Sequence, residues 1–307
     1  MIKVFIDGSA GTTGLRIFDR LKDRKDIKLI TLSEELRKDI NARKEALNNC
    51  DIAFLCLPDK AAIEAVSLIE NDSVKVIDTS TAHRVNDEWT YGFAELLSSY
   101  DVIRNSKRIA NPGCHASGFN ALVAPLTKAG LLKKNANLSC FSLTGYSGGG
   151  KQMIAQYEDD SRDALLNAPR MYGLSQSHKH IPEMVKICEL EKSPVFCPVV
   201  ADFYAGMQVT VPVFKSDLNG TINDIKDIYK SVYRGEVVHF DENADEQGFM
   251  SSNAYELKDD MQITVCGNDE RILLVSRFDN LGKGASGSAI QNMNILIGAD
   301  ECTGLNI

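Results

Sequence analysis

Gly8, Gly11 and Gly14 lie between an apolar run, Lys3 to Ile6, and a segment with Leu15, Phe18 and Leu21 at helical spacing. This order of strand, glycine turn and helix constrains the chain more than any other feature. Positions without side chains let the backbone approach a pyrophosphate. The helix start adds unpaired N–H groups and the positive end of its dipole. Glycine spacing alone also suits a plain tight turn. Placed after a first strand, it points to a dinucleotide site held by Gly8, Ser9, Gly11, Thr12, Thr13 and Gly14.

Strand-like runs recur at Ile27 to Leu32, Ile52 to Leu57, Val74 to Asp78 and Arg108 to Ala110, with helical stretches such as Ala61 to Ile69 between them. Such alternation predicts an α/β fold, a Rossmann-like doubly wound parallel sheet. After Cys114, the spacing of Phe119, Leu122, Val123 and Leu126 predicts a helix capped at Gly130. The pattern changes from about residue 137. Met207 to Val213 alternates as a half-buried strand, Pro212 suggests an edge position, and Met261 to Val265 and Arg271 to Phe278 read as further strands. An α+β catalytic domain with an antiparallel sheet is expected here.

The division is therefore 1–113 for a dinucleotide-binding domain and 114–283 for the catalytic domain. The segment 284–307, with Ile290, Met293 and Leu296 on one helical face, is expected to return to the first domain. Exposed edge strands in the second domain suit a homo-oligomer, a dimer or tetramer.

Of 307 residues, 34 are basic and 42 acidic, a net charge of -8 that argues against a nucleic-acid partner. No apolar stretch approaches the roughly 20 residues that cross a bilayer, so no membrane partner is expected. Met1 to Val4 runs directly into a strand, without the features of a signal peptide. A cytoplasmic protein is expected. None of the eight cysteines forms a C-x-x-C pair, so neither a metal site nor a redox pair is expected. Most, like Cys56 between Leu55 and Leu57, sit in apolar surroundings as inert core thiols.

Cys114 is different. It follows Asn111-Pro112-Gly113 at the predicted start of a helix, where the dipole and free N–H groups favour a thiolate. The same groups can hold an oxyanion. A buried structural cysteine is the plainer alternative, and the strand–turn–helix junction, where α/β sites lie, argues against it.

A nucleophilic thiol needs a proton acceptor, and the histidines are at 83, 115, 178, 180 and 239. His178 and His180 stand before a helix that Pro182 is expected to begin, with Ile181, Met184, Val185 and Cys188 on its face. In an extended segment, i, i+2 spacing turns both imidazoles to one side. They are the candidate acid–base pair, with His180, nearer the helix, slightly favoured as the proton carrier. His115 is expected to point away from the thiol, and His83 and His239 are read as structural.

At the end of the second predicted strand stands Ser33, whose small side chain leaves room for a 2′-phosphate. That favours NADP(H), although Glu34 and Glu35 pull towards NAD and Arg37 lies one turn on.

Taken together, these segments resemble the shorter N-acetyl-gamma-glutamyl-phosphate reductases of arginine biosynthesis over nearly the whole chain. The resemblance is carried by the glycine turn, Leu57-Pro58, Asp78-Thr79-Ser80 through Arg84, Tyr91-Gly92 and Glu95-Leu96. It continues through Asn111-Pro112-Gly113-Cys114, Ser147-Gly148-Gly149-Gly150-Lys151, His178 to Glu183, Asp279 to Gly284 and Gln291 to Asn294.

The resemblance implies NADPH-dependent reduction of an acyl phosphate to a semialdehyde, with release of inorganic phosphate. It also implies Cys114 as the nucleophile, His178 and His180 as the acid–base segment, Glu183 beside the substrate and Asn280 among the cofactor contacts. Arg84 and Lys151 are suggested by location as the cations that meet the phosphate. The chain departs from the commoner pattern at His115, where an aromatic residue usually follows the cysteine, and at Thr79 and Thr81-Ala82-His83. Related acyl-phosphate reductases of the aspartate-semialdehyde or aminoadipyl type share the cofactor turn and the cysteine. A non-catalytic NADP-binding sensor would need no cysteine at a helix start.

Overall fold

The alternating apolar runs of the first third become parallel strands in the computed structural model, which describes residues 1–96 and 100–307. Two units are distinguished. One comprises Met1–Ala94, Ser98–Gly113 and Ala285–Leu305, the other Glu95–Leu97, Cys114–Gly284 and Asn306–Ile307.

In the first unit the strands are β1 (Ile2–Asp7), β2 (Ile27–Ile30), β3 (Ile52–Leu55), β4 (Lys75–Asp78), β5 (Thr90–Tyr91) and β6 (Arg108–Ala110). They pair in parallel in the order β2-β1-β3-β4-β6-β5. Side chains alternate across a strand, so neighbouring apolar residues of β1 serve opposite faces. Val4 and Ile6 pack with Ile17 and Leu21 of α1 (Thr12–Leu21), and with Ile290 and Met293 of the last helix, Gly287–Ile297. Phe5 packs with Leu47 of α2 (Ile40–Asn49) and Ala65 of α3 (Asp59–Ser67). A short helix, α4 (Tyr100–Arg104), adds Ile103 to the first face. Helices therefore cover both faces, as in a doubly wound fold. The strand order switches between β1 and β3, which opens a crevice at their carboxyl ends.

The second unit holds β7 (Ser139–Gly145), β8 (Arg170–Met171), β9 (Val195–Ala201), β10 (Met207–Phe214), β11 (Val238–Phe240), β12 (Met261–Gly267) and β13 (Arg271–Phe278). Their order is β11-β12-β13-β10-β7-β9-β8. This sheet is mixed rather than purely antiparallel: β7 runs parallel to β9 and β11 parallel to β12. The cause is connection length, because parallel neighbours need a crossover. Between β7 and β9 the chain forms α6 (Gly150–Glu158), β8 and a further helix before it returns. Nor is β10 an edge strand, since it lies between β13 and β7. Pro212 is tolerated because β7 pairs only with Met207 to Thr210, so beyond that point β10 has β13 alone for a neighbour.

Cys114–Lys128 forms α5, and all of its residues from His115 to Thr127 are buried. It lies against β10, β13, α7 (His180–Ile187) and α8 (Ile222–Val232). Gly130, at φ +69°, takes the left-handed conformation that ends α5. Pro125 lies inside this helix and has no N–H to give the Ala121 carbonyl four residues earlier. The Tyr233 hydroxyl, just beyond α8, donates to that carbonyl at 2.5 Å, and Tyr229 on α8 donates to the next one, Leu122. Removing the Tyr233 hydroxyl strands a buried carbonyl. Tyr233→Phe should therefore cost about 1–3 kcal/mol and lower the melting temperature by several degrees in circular dichroism. An unchanged melting curve would mean that α5 satisfies its own backbone.

Candidate active site

The crevice of the first unit begins at the glycine turn. Gly8 has φ +87°, and a Cβ there would lie 2.3 Å from the Cys56 carbonyl oxygen. A Cβ on Gly14 would lie 2.4 Å from the Gly8 carbonyl oxygen. These two glycines are thus demanded by the protein's own packing. At Gly11 a Cβ meets nothing closer than 3.4 Å, so protein packing does not require a glycine there. Gly11 caps α1 without a side-chain hydrogen bond, and no acidic residue stands in the first turn. No carboxylate of that turn therefore competes for the N–H groups of Thr12 and Thr13.

A cleft of about 380 Å³ opens beside this turn, lined by Gly8 to Gly11, by Leu57 and Pro58, and by Thr31, Leu32, Arg37 and Lys38 beyond β2. Asp7, at the end of β1, is part of the same lining. Burial raises its carboxyl above the usual range, against the opposing pull of Arg43. Arg43 grips it with Nη2 at 2.9 Å and Nε at 3.1 Å, and also pairs with Glu64. The pairing keeps a bare negative charge from the place where a pyrophosphate would lie. Ser33 is exposed and is not among the lining residues. Its carbonyl accepts from Leu36 and Arg37, and its hydroxyl helps hold Glu35 below the usual carboxylate range. Arg37 pairs with Glu34 at 2.8 Å. The cations at the cleft are Arg37 and Lys38, and their signal in the sequence was a basic pair just beyond the second strand.

In the second unit, Cys114 is the first residue of α5 and is partly exposed. Several other thiols are held protonated by burial: Cys50 and Cys56 are each pushed up to about 12, and burial raises Cys140 and Cys188 as well. α7 begins at His180, two residues earlier than Pro182. Proline is accepted anywhere in a helix's first turn, because the N–H it lacks has no helical partner there. His178 and His180 are consequently not on one extended strand. Nδ1 of His178 accepts the His180 backbone N–H at 3.3 Å, and the two rings sit edge to face at 4.8 Å.

His115 does not stand apart from this pair. Its ring centroid is 6.0 Å from that of His178 and 5.4 Å from that of His180, and it packs on Phe196 at 5.2 Å. Its Nδ1 is 2.6 Å from Ser142 Oγ on β7, and its Nε2 is 2.6 Å from the Tyr172 hydroxyl. Three imidazoles thus meet at the start of α5. Sequence spacing had shown only two, since His115 is brought in by helical geometry and its partners by the sheet. Burial pushes His115 down to about 3, with His178 adding to the shift, and lowers His178 itself with help from Lys179. Tyr172 is raised by burial and by its closeness to Cys114.

Other candidates fall in distinct places. Glu183 is buried in the first turn of α7. Asn280 is buried, with its amide nitrogen 3.0 Å from Ser147 Oγ and its oxygen accepting from Gly206 N–H at 2.9 Å, so it fastens the glycine loop. Lys151, in the first turn of α6 after that loop, is exposed. Arg84, in the first unit, is buried and donates to the carbonyls of Asn111 and Thr79, each at 2.9 Å. His83 bonds buried Asp78 at 2.6 Å and stacks on Trp89, and His239 lies 3.3 Å from the Tyr255 hydroxyl.

A parallel sheet with a glycine crevice, and a cysteine that starts a helix whose next residue packs against two imidazoles, fit a nicotinamide-dependent oxidoreductase, and the chain belongs to the semialdehyde dehydrogenase family. The family's NAD binding domain matches residues 3–103 and its dimerisation domain residues 114–280. The chain is 44% identical over 310 residues to an N-acetyl-gamma-glutamyl-phosphate reductase of Sinorhizobium medicae, covering 97% of this chain and 99% of the relative. It is 45% identical to the protein of that name from Brucella anthropi, covering 96% and 98%. Among solved structures, aspartate semialdehyde dehydrogenase II of Vibrio cholerae shares the fold at a TM-score of 0.70 and 17% identity, covering 97% of this chain and 99% of its own. The Francisella tularensis aspartate semialdehyde dehydrogenase does so at 0.71 and 17%, covering 97% and 100%.

The glycine geometry separates two roles. Gly14→Ala overpacks the turn itself and should destabilise the ligand-free protein by about 1–3 kcal/mol. Gly11→Ala should leave ligand-free melting in place and weaken only dinucleotide binding. Scanning fluorimetry with and without NADPH tests both, and equal melting of the two ligand-free variants would sink the distinction.

Proposed function

We propose that this protein reduces N-acetyl-gamma-glutamyl phosphate to N-acetylglutamate semialdehyde with NADPH, releasing inorganic phosphate, through a thioester on Cys114. The observation that carries the chemistry is the position of Cys114 at the start of a buried helix whose first turn joins a cluster of imidazoles. The curated relatives, similar from end to end, supply the substrate.

Sγ of Cys114 attacks the acyl carbon, and the C–O bond to phosphate breaks as the thioester forms. NADPH, when bound, would supply the hydride that takes the thioester to a thiohemiacetal. Breakage of its C–S bond frees the semialdehyde and returns the thiol. N–H groups at the start of α5 lie where the oxyanion develops. His178 accepts a backbone N–H at Nδ1, so its ring proton is on Nε2 and it presents a donor. The proton of the thiol then passes to His180. Glu183 orients the substrate beside them, and Lys151 meets the phosphate. Arg84 spends donors on main-chain carbonyls at the ends of β4 and β6, which suits a supporting part in phosphate binding. For the cofactor, Gly8 to Gly14 would hold the pyrophosphate, Asn280 would contribute by holding its loop, and Ser33 would leave room for a 2′-phosphate that Arg37 and Lys38 would meet.

We assign a homo-oligomer to the second unit on the open face of its sheet. Phe141, Val195 and Leu273 are exposed there, and Phe141 pairs directly with Cys197 and Thr210. Among the described residues no helix is long and apolar enough to cross a membrane. None of the eight cysteines is in a disulfide, as a reducing cytoplasm would keep them.

Cys114→Ser should cost at least ~10³-fold in rate, about 4 kcal/mol, while NADPH binding survives. The assay is phosphate-dependent NADP reduction across a panel of semialdehydes. More than a tenth of parental activity in the variant would overturn the covalent route, and a preference for another semialdehyde would overturn the substrate. The pH dependence carries its own sign. Protonating His178 breaks its acceptor bond and places a cation beside His180. Because burial lowers His178 from the ordinary 6.5, kcat/KM should hold on passing below that pH and fall only further down. A midpoint above 6.5 would contradict this assignment.

A further inference from the structure

His115 is the residue of the thiol site that the reductase reading does not use. Both of its ring nitrogens are engaged at 2.6 Å, with Ser142 on one side and Tyr172 on the other, and the ring is buried. Neither partner carries a countercharge. From α7 and the residues before it the ring faces His178 and His180, and that helix also bears Glu183 and Lys186. Tyr172 reaches it from beyond β8, and Cys114 precedes it on α5. Strand β7 offers Ser142 and Cys140, while β9 offers Phe196.

We infer that Ser142, His115 and Tyr172 form a hydrogen-bond relay that positions the Tyr172 hydroxyl beside the Cys114 thiol and leaves the mobile proton of the site to His178 and His180. The inference rests on Cys114 being the nucleophile.

Electrostatics requires such a division. Cations on rings 4.8 to 6.0 Å apart repel one another strongly where water is excluded. A ring bonded to two hydroxyls has no compensation for that cost, so His115 stays neutral, in agreement with its depression by burial and by His178. A neutral imidazole offers one N–H and one lone pair. With the proton on Nδ1 it donates to Ser142 and accepts from Tyr172. With the proton on Nε2 it accepts from Ser142 and donates to Tyr172, which turns the phenol's own proton away from His115. In either state the phenol is held in place. It also remains protonated, because burial and the nearby thiolate both oppose phenolate. With the His115 proton on Nε2, Tyr172 is therefore a fixed neutral donor near sulfur. The imidazole of His115 joins β7 to the Tyr172 segment through two opposed nitrogens, which a side chain with a single polar atom cannot do in the same way.

The test compares Tyr172→Phe, His115→Phe and His115→Gln with the parent. Each is read for kcat, for KM and for the pH midpoint of Cys114 alkylation by iodoacetamide without substrate. Loss of a positioned donor should lower kcat by about 10- to 100-fold in both phenylalanine variants, with little change in KM. The alkylation midpoint should rise in both, since a thiolate that loses a hydrogen bond is harder to form. Glutamine keeps a donor and an acceptor, so His115→Gln should regain most of the rate and restore the midpoint. If His115→Gln is no better than His115→Phe, the imidazole itself carries the proton and the relay is wrong. Parental kcat and midpoint in Tyr172→Phe would also overturn it. Tyr172→Phe removes one oxygen only, so it decides the matter should His115→Phe fail to fold. Failure of the parent to turn over would instead defeat the reductase reading, while the alkylation midpoints would still report the relay.

Discussion

Everything in the second unit depends on a helix that cannot satisfy its own backbone. α5 is buried from His115 to Thr127, and Pro125 removes one of the hydrogen bonds that a buried helix needs. Two tyrosines near the end of α8 replace what is missing, through Ala121 and Leu122. Because those bonds come from another element, α5 is fixed in place as well as in conformation. Its first residue is Cys114, so the same constraint that satisfies the helix interior holds the thiol where helix and solvent meet. His115, one residue on, inherits that rigidity and passes it to Ser142 and Tyr172.

A chain with a net charge of -8 that handles phosphates must arrange its charges locally. In the first unit it does so by leaving acids out of the first turn of α1, and by covering Asp7 with Arg43. In the second unit, the Glu95 carboxylate holds Lys283 at 2.8 Å, both of them buried. The imidazole cluster shows the opposite strategy. Its members are too close for shared positive charge, and burial with two flanking hydroxyls sets His115 apart from His178 and His180. Geometry alone makes that distinction, since all three residues are histidine.

Much of this was legible before any coordinates. The parallel sheet was written in short apolar runs alternating with helical spacing, and the glycine turn was written in Gly8 and Gly14, each required by close backbone approach. Elsewhere local pattern misled. Pro212 suggested an edge, whereas β10 is interior and the proline lies where one neighbour ends. Pro182 suggested the first residue of a helix, whereas α7 begins at His180. β7 and β9 left no plain alternation, because Cys140, Ser142 and Thr144 face a buried side on which hydroxyls are as acceptable as apolar groups.

The amino-acid sequence by itself determined the wound sheet, the place of the glycine turn between β1 and α1, and the place of Cys114 at a helix start. Each of these follows from residues close together in the chain, through periodicity, glycine sterics and helix starts. Only the tertiary structure decided that the second sheet is mixed, that Arg37 and Lys38 rather than Ser33 line the dinucleotide cleft, and that His115 joins His178 and His180. Those facts depend on contacts between residues tens of positions apart, such as His115 with Tyr172, 57 residues away. No local periodicity records such a contact, because it arises only when strands and helices pack.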